Sequence, residues 1–133
     1  MMTVTYRRTN KTVYSAKYHL IWCPKYRRRV LVGAVENRLV EIVHQICVEH
    51  GADVIEIEIM PDHVHLLVEV PPVVALSKFI GALKGRSARV LRQEFDHLRR
   101  LPSLWTPSWF CSTVGGVPLE VVRRYVENQK LAA

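Results

Sequence analysis

At 133 residues, with 49% apolar and 23% charged residues, the chain has the size and composition of one folded domain (1–133) rather than of a disordered segment. Its net charge is +7, no apolar run reaches the roughly 20 residues that span a bilayer, and the basic Met1–Lys11 stretch lacks the apolar core of a signal peptide. Cys23, Cys47 and Cys111 form no C-x-x-C pair, which argues for reduced thiols in a cytoplasmic protein and against a cysteine zinc site.

In chain order, Ala16 to Trp22 alternates between Ala16, Tyr18, Leu20, Trp22 and Lys17, His19, Ile21, the pattern of a strand. Pro24 ends it, and the basic run Lys25 to Arg29 follows. Val35, Leu39, Ile42, Val43 and Ile46 recur at helical spacing up to Gly51, a natural stop. Val54 to Ile59 alternates again, with Ile55, Ile57 and Ile59 expected on one face and Glu56 and Glu58 on the other. Met60-Pro61-Asp62 reads as a turn into a returning strand, Val64 to Val70. A second helix is predicted from about Leu76 to Phe95, with Phe79, Ile80, Leu83, Val90 and Leu91 as its apolar stripe. Trp109 to Val114 reads as a fourth strand, and Pro118 opens a final helix. The order β-α-β-β-α-β-α implies an α+β fold: a ferredoxin-like antiparallel sheet, helices on one face and the other open, plus a C-terminal helix.

Charge is unevenly distributed along this plan. Leu39 to Ser77 holds seven acids and no Lys or Arg. All 19 basic residues lie outside it against five acids, so the rest of the chain carries a formal +14. A cationic surface beside an anionic strip suits a polyanion held against a cation-binding centre.

Two constellations carry chemistry. His63 and His65, two apart on a strand, point to the same side and can converge on one ion, with Glu58 expected roughly opposite His65. Tyr125 and Gln129, four apart on the last helix, share a face. Each alone is weak: the histidines can be polar residues on an exposed strand, and the tyrosine a core residue whose hydroxyl reaches water. Together they fit phosphodiester cleavage by a phenol oxygen, with a cation neutralising charge on the phosphate. Two imidazoles and an amide oxygen make a mixed site suited to Mg²⁺ or Mn²⁺.

At these residues the sequence resembles a known family. Met60-Pro61-Asp62-His63-Val64-His65-Leu66-Leu67 looks like the "HUH" motif of the single-tyrosine transposases of the insertion-sequence-200/605 class and their relatives linked to repeated palindromes. The resemblance extends to Tyr18 to Arg27, Ser112 to Gly116 and Val122 to Gln129. It implies His63, His65 and Gln129 as metal ligands and Tyr125 as nucleophile, leaving a 5′-phosphotyrosine and a free 3′-hydroxyl. It also implies single-stranded DNA with hairpins as substrate, a homodimer, and Gly115-Gly116 as a hinge for the tyrosine helix. Pro107 departs from the glycine-containing turn expected there.

Lys25, Arg27, Arg28, Lys84, Arg86 and Arg89 are the candidates for DNA-backbone contacts, and Tyr26 and Trp22 for base stacking, Trp22 being the better core residue. The alternatives are a non-catalytic nucleic-acid-binding module, a host-serving relative acting on repeated palindromes, and a metallohydrolase that uses water in place of the tyrosine.

Overall fold

The computed structural model describes residues 6–8, 12–114, 124 and 126–128. At its centre is β3 (Lys17–Trp22), flanked by β5 (His63–Glu69) on one side and β6 (Phe110–Thr113) on the other; β4 (Asp53–Met60) pairs with the outer edge of β5. The sheet order is β4-β5-β3-β6 and all three pairings are antiparallel. Two-residue strands β1 (Arg7–Arg8) and β2 (Val13–Tyr14) form a separate ribbon. Nothing in the polar N-terminal sequence announces that ribbon. Arg7 Nε ties it to the main sheet at 2.9 Å from the buried Glu69 and 3.5 Å from Asp53.

α1 (Ala34–Glu49) and α2 (Leu76–Glu94) carry the apolar stripes that the spacing predicts. Val35, Leu39, Ile42, Val43 and Ile46 of α1 pack with Phe79, Ile80, Leu83 and Leu91 of α2 over Leu20, Trp22, Val64, Leu66 and Val68 of the sheet. Gly51 ends α1 with φ of +68°, a left-handed position that glycine adopts without a Cβ penalty. α2 stops at Phe95, whose backbone is extended, and a short α3 (Asp96–Arg99) follows that the sequence pattern does not anticipate. Trp22 is fully buried, edge-on to Trp105, so it is a core residue and offers no ring to a base.

β4 departs from strict alternation. Its pairing with β5 slips between Val54 and Glu56, a β-bulge that leaves Ile55 at 43% exposure while Val54, Ile57 and Ile59 pack on the core. The expected Ile55-Ile57-Ile59 face is therefore broken at Ile55. Beyond the bulge the register places Glu58 opposite His65, as expected. The sheet face away from the helices also differs from a uniformly open one: Ile21, Leu67 and Glu69 lie on it and are buried.

Residues 124 and 126–128 are helical. Tyr125, Gln129, Gly115 and Gly116 lie outside the described residues. No helix among the described residues is long and apolar enough to cross a membrane.

Candidate active site

The hairpin of β4 and β5 builds the site. Met60 pairs with His63 around the two-residue turn Pro61-Asp62, so β5 begins at the first histidine. His63 and His65 then share the face away from the core, because Val64 and Leu66 between and beyond them are buried. Exposed Glu56 and Glu58 stand alongside on β4.

Each histidine has a partner that the sequence does not reveal. Asp62 Oδ1 is 2.9 Å from His63 Nδ1. A carboxylate on one ring nitrogen orients the ring and turns Nε2 away from it, the arrangement of metal-ligating histidines generally. His65 Nε2 is 3.0 Å from Nδ1 of His19 on β3, with the rings stacked at 5.2 Å between centroids. Burial lowers the His65 pKa, as does neighbouring His19, against the opposing pull of Glu56 and Glu58, so this imidazole is held neutral. Asp62 is mostly buried, which pushes its carboxyl up. Hydrogen bonds from His63 and Arg27, with their charge, outweigh that and leave it below the usual range. Asp62 stays an anion.

Two imidazoles on one strand face, one of them hydrogen-bonded through its second nitrogen to a carboxylate, fit a divalent cation. Among the described residues no three His, Cys, Asp or Glu side chains converge on a point. The cysteines are poor candidates. Burial raises Cys23 to about 11 and Cys47 to about 12, which keeps both thiols protonated at neutral pH.

Arg27, expected on the DNA-facing surface, points inward. Its Nε donates to Asp62 Oδ2 at 3.0 Å, its Nη2 donates to the same oxygen, and its Nη1 donates to the backbone carbonyl of Val126 at 3.0 Å. The backbone makes this possible. Tyr26 and Arg27 both adopt left-handed conformations, φ 61° and 47°, at a cost of about 1–3 kcal/mol each. The basic run thus splits: Arg27 turns in, while the exposed Tyr26 ring carries the Arg28 guanidinium at 5.2 Å and the Lys25 ammonium at 6.0 Å.

The α2 candidates divide likewise. Lys84 is half-buried and donates to the carbonyls of Thr106, at 2.6 Å, and Ser108, at 3.0 Å, pinning the loop before β6. Burial lowers its pKa. Arg86 donates to Glu49 at 2.6 Å and joins α2 to α1. Arg89 is exposed, makes no ion pair among the described residues, and lines a shallow depression with Gly85, Ala88, Arg92, Gln93 and Arg99. Lys84→Met is therefore expected to cost about 1–3 kcal/mol in chemical denaturation and to leave affinity for a labelled single-stranded DNA probe unchanged. Arg89→Ala should do the opposite, lowering the slope of log affinity against log salt by about one with no change in stability.

The sequence and the fold both have close counterparts. Residues 12–129 match the family model described as "Transposase IS200 like". The ISDra2 transposase TnpA of Deinococcus radiodurans is 42% identical over 120 residues, 88% of this chain and 86% of the relative. The transposase for insertion sequence element IS200 of Salmonella typhimurium is 31% identical over 121 residues, 89% of this chain and 79% of the relative. A Deinococcus radiodurans R1 protein solved as a candidate transposase superposes with a TM-score of 0.86 at 38% identity, covering 92% of this chain and 97% of that one. A REP-associated tyrosine transposase, solved bound to a REP hairpin, shares the fold more distantly, with a TM-score of 0.54 at 16% identity over 94% of this chain and 69% of that one. With the family match spanning the sheet, both helices and the histidine hairpin, the chain belongs to the IS200-like transposases and is a tyrosine transposase.

Proposed function

We propose that this transposase cleaves and rejoins single-stranded DNA through Tyr125, at a divalent-metal site formed by His63, His65 and Gln129. The carrying observation is the Asp62–His63 contact: a buried anion fixes one imidazole nitrogen and frees the other beside a second, neutral imidazole. The strand order β4-β5-β3-β6, with a helix crossing between its halves, supports a ferredoxin-like scaffold on which the C-terminal helix brings Tyr125 and Gln129 to the histidines.

In this reading the cation, Mn²⁺ or Mg²⁺, supplies charge neutralisation at the scissile phosphate. The chain's own residues do the rest. Asp62 and His19 hold the two imidazoles in place, and His63 presents Nε2. The phenol oxygen of Tyr125 attacks phosphorus, the 3′ oxygen departs, and the chain retains the 5′ phosphate as an ester. Because that ester conserves the bond energy, rejoining needs no nucleotide. In the same reading Lys25 and Arg28, which lie over the Tyr26 ring, and the exposed Arg89 neutralise DNA phosphates. The substrate is an imperfect hairpin at an element end, bound by a homodimer with Gly115-Gly116 as the hinge of the tyrosine helix. Relatives at 31–42% identity that are insertion-sequence transposases support element movement over a host-serving role.

The test is a cleavage assay on labelled single-stranded DNA carrying the ends of the encoding element. A covalent protein–DNA adduct that forms with Mn²⁺ or Mg²⁺ and is lost with chelator is the expected result. Intact hairpin binding with no adduct would make the chain a binding module.

A further inference from the structure

Arg27 occupies a place that a DNA-contacting arginine does not need. It sits between two parts of the chain that are 64 residues apart in sequence, Asp62 and Val126. Its side chain is only 12% exposed, as is that of Asp62. The guanidinium is a planar fork: one edge spans Asp62 Oδ2, and the remaining nitrogen reaches the carbonyl oxygen of Val126 at 3.0 Å, with Glu127 Oε2 at 3.8 Å. Asp62 uses its other oxygen on His63. The contacts therefore run in one line, from the backbone next to Tyr125, through Arg27 and Asp62, to the ring that would ligate the metal.

We propose that Arg27 is a positioning residue that sets the tyrosine-bearing segment against the metal-ligating hairpin, with Asp62 as the shared link. This rests on the functional reading above. In-line attack requires the phenol oxygen and the cation to be held at a fixed separation, and small displacements are costly when geometry is the source of rate. A carbonyl one residue beyond the nucleophile is a direct handle on that separation. Lysine cannot replace the fork, because a single ammonium does not present three planar nitrogens to a carboxylate and a carbonyl at once. Two consecutive left-handed residues, Tyr26 and Arg27, aim the fork inward, so the backbone is shaped for this contact and not for solvent.

The experiment compares wild type, Arg27→Lys and Asp62→Asn, each checked for folding by circular dichroism. Four quantities are read: amide exchange of residues 126–128, the ¹⁵N imidazole signals of His63, Mn²⁺ affinity by EPR, and hairpin affinity. For Arg27→Lys, exchange at 126–128 should accelerate at least about tenfold and Mn²⁺ affinity should fall about tenfold, as for other groups that orient a ligand. Hairpin affinity should stay within about twofold, while the cleavage rate at saturating DNA falls, a loss in kcat and not in KM. Asp62→Asn should shift the His63 tautomer and release 126–128 together. Weakened hairpin binding in Arg27→Lys, with exchange and Mn²⁺ affinity as in wild type, would overturn the proposal and make Arg27 a phosphate contact. If wild type neither binds Mn²⁺ nor cleaves DNA, the functional reading fails. The exchange and imidazole data in metal-free protein still decide whether Arg27 links the two segments.

Discussion

Tyr125→Phe is expected to abolish the covalent adduct and to reduce strand cleavage at least about a thousandfold, while hairpin affinity stays within about twofold of wild type. The substitution removes one oxygen, and that oxygen is the only atom proposed to bond to phosphorus. Removing a nucleophile from a preorganised site leaves whatever acceleration binding and charge neutralisation provide, with no covalent route. The measurement is a denaturing gel of labelled DNA after incubation with Mn²⁺, alongside a binding titration. The mutant separates two mechanisms. Full cleavage by Tyr125→Phe, with no adduct in either protein, would mean that water is the nucleophile and that the chain is a metallohydrolase.

The second large effect concerns the two histidines. His63→Ala and His65→Ala should each lower cleavage at least about a thousandfold and weaken Mn²⁺ binding in parallel, with hairpin binding retained. A cation at a developing phosphate charge contributes several kcal/mol, and about 4 kcal/mol corresponds to that factor. The two variants should differ in a second respect. His63→Ala strands the buried Asp62 carboxylate with Arg27 as its remaining partner, whereas His65→Ala leaves His19 without its ring stack. EPR of bound Mn²⁺ and stopped-time cleavage assays read both losses. Retained metal affinity in either variant would remove that histidine from the ligand set.

Much of this plan is legible in the sequence because the signals are local. The stripes of α1 and α2 follow from helical spacing, and the turn at Pro61-Asp62 fixes where the histidines begin and which way they face. Glu58 opposite His65 follows from that turn alone. The parts that escape the sequence depend on partners distant along the chain. His19 is a lone polar residue on a strand until β3 and β5 pair and bring it to a ring 46 positions away. Arg27 and Lys84 look like surface charge, and a basic run or a helix face says nothing of an acceptor waiting inside. For Arg27 the deciding feature is a pair of left-handed backbone positions that no residue in Tyr26-Arg27 advertises. Asp62 reads as a turn former, and its contacts with His63 and Arg27 show only in the folded chain.

The bulge in β4 has a consequence for how chains of this fold can change length. Asp53 and Val54 on one side of Ile55, and Glu56 to Met60 on the other, already face correctly when Ile55 is left out of the count. A deletion at that one position would restore an even ladder and leave every carboxylate beside the histidines where it stands. A deletion within Ile57–Ile59, beyond the bulge, would turn part of the strand over, sending isoleucines outward and acids into the core. A single-residue gap is thus tolerable at the bulge and not at Ile57–Ile59 beyond it.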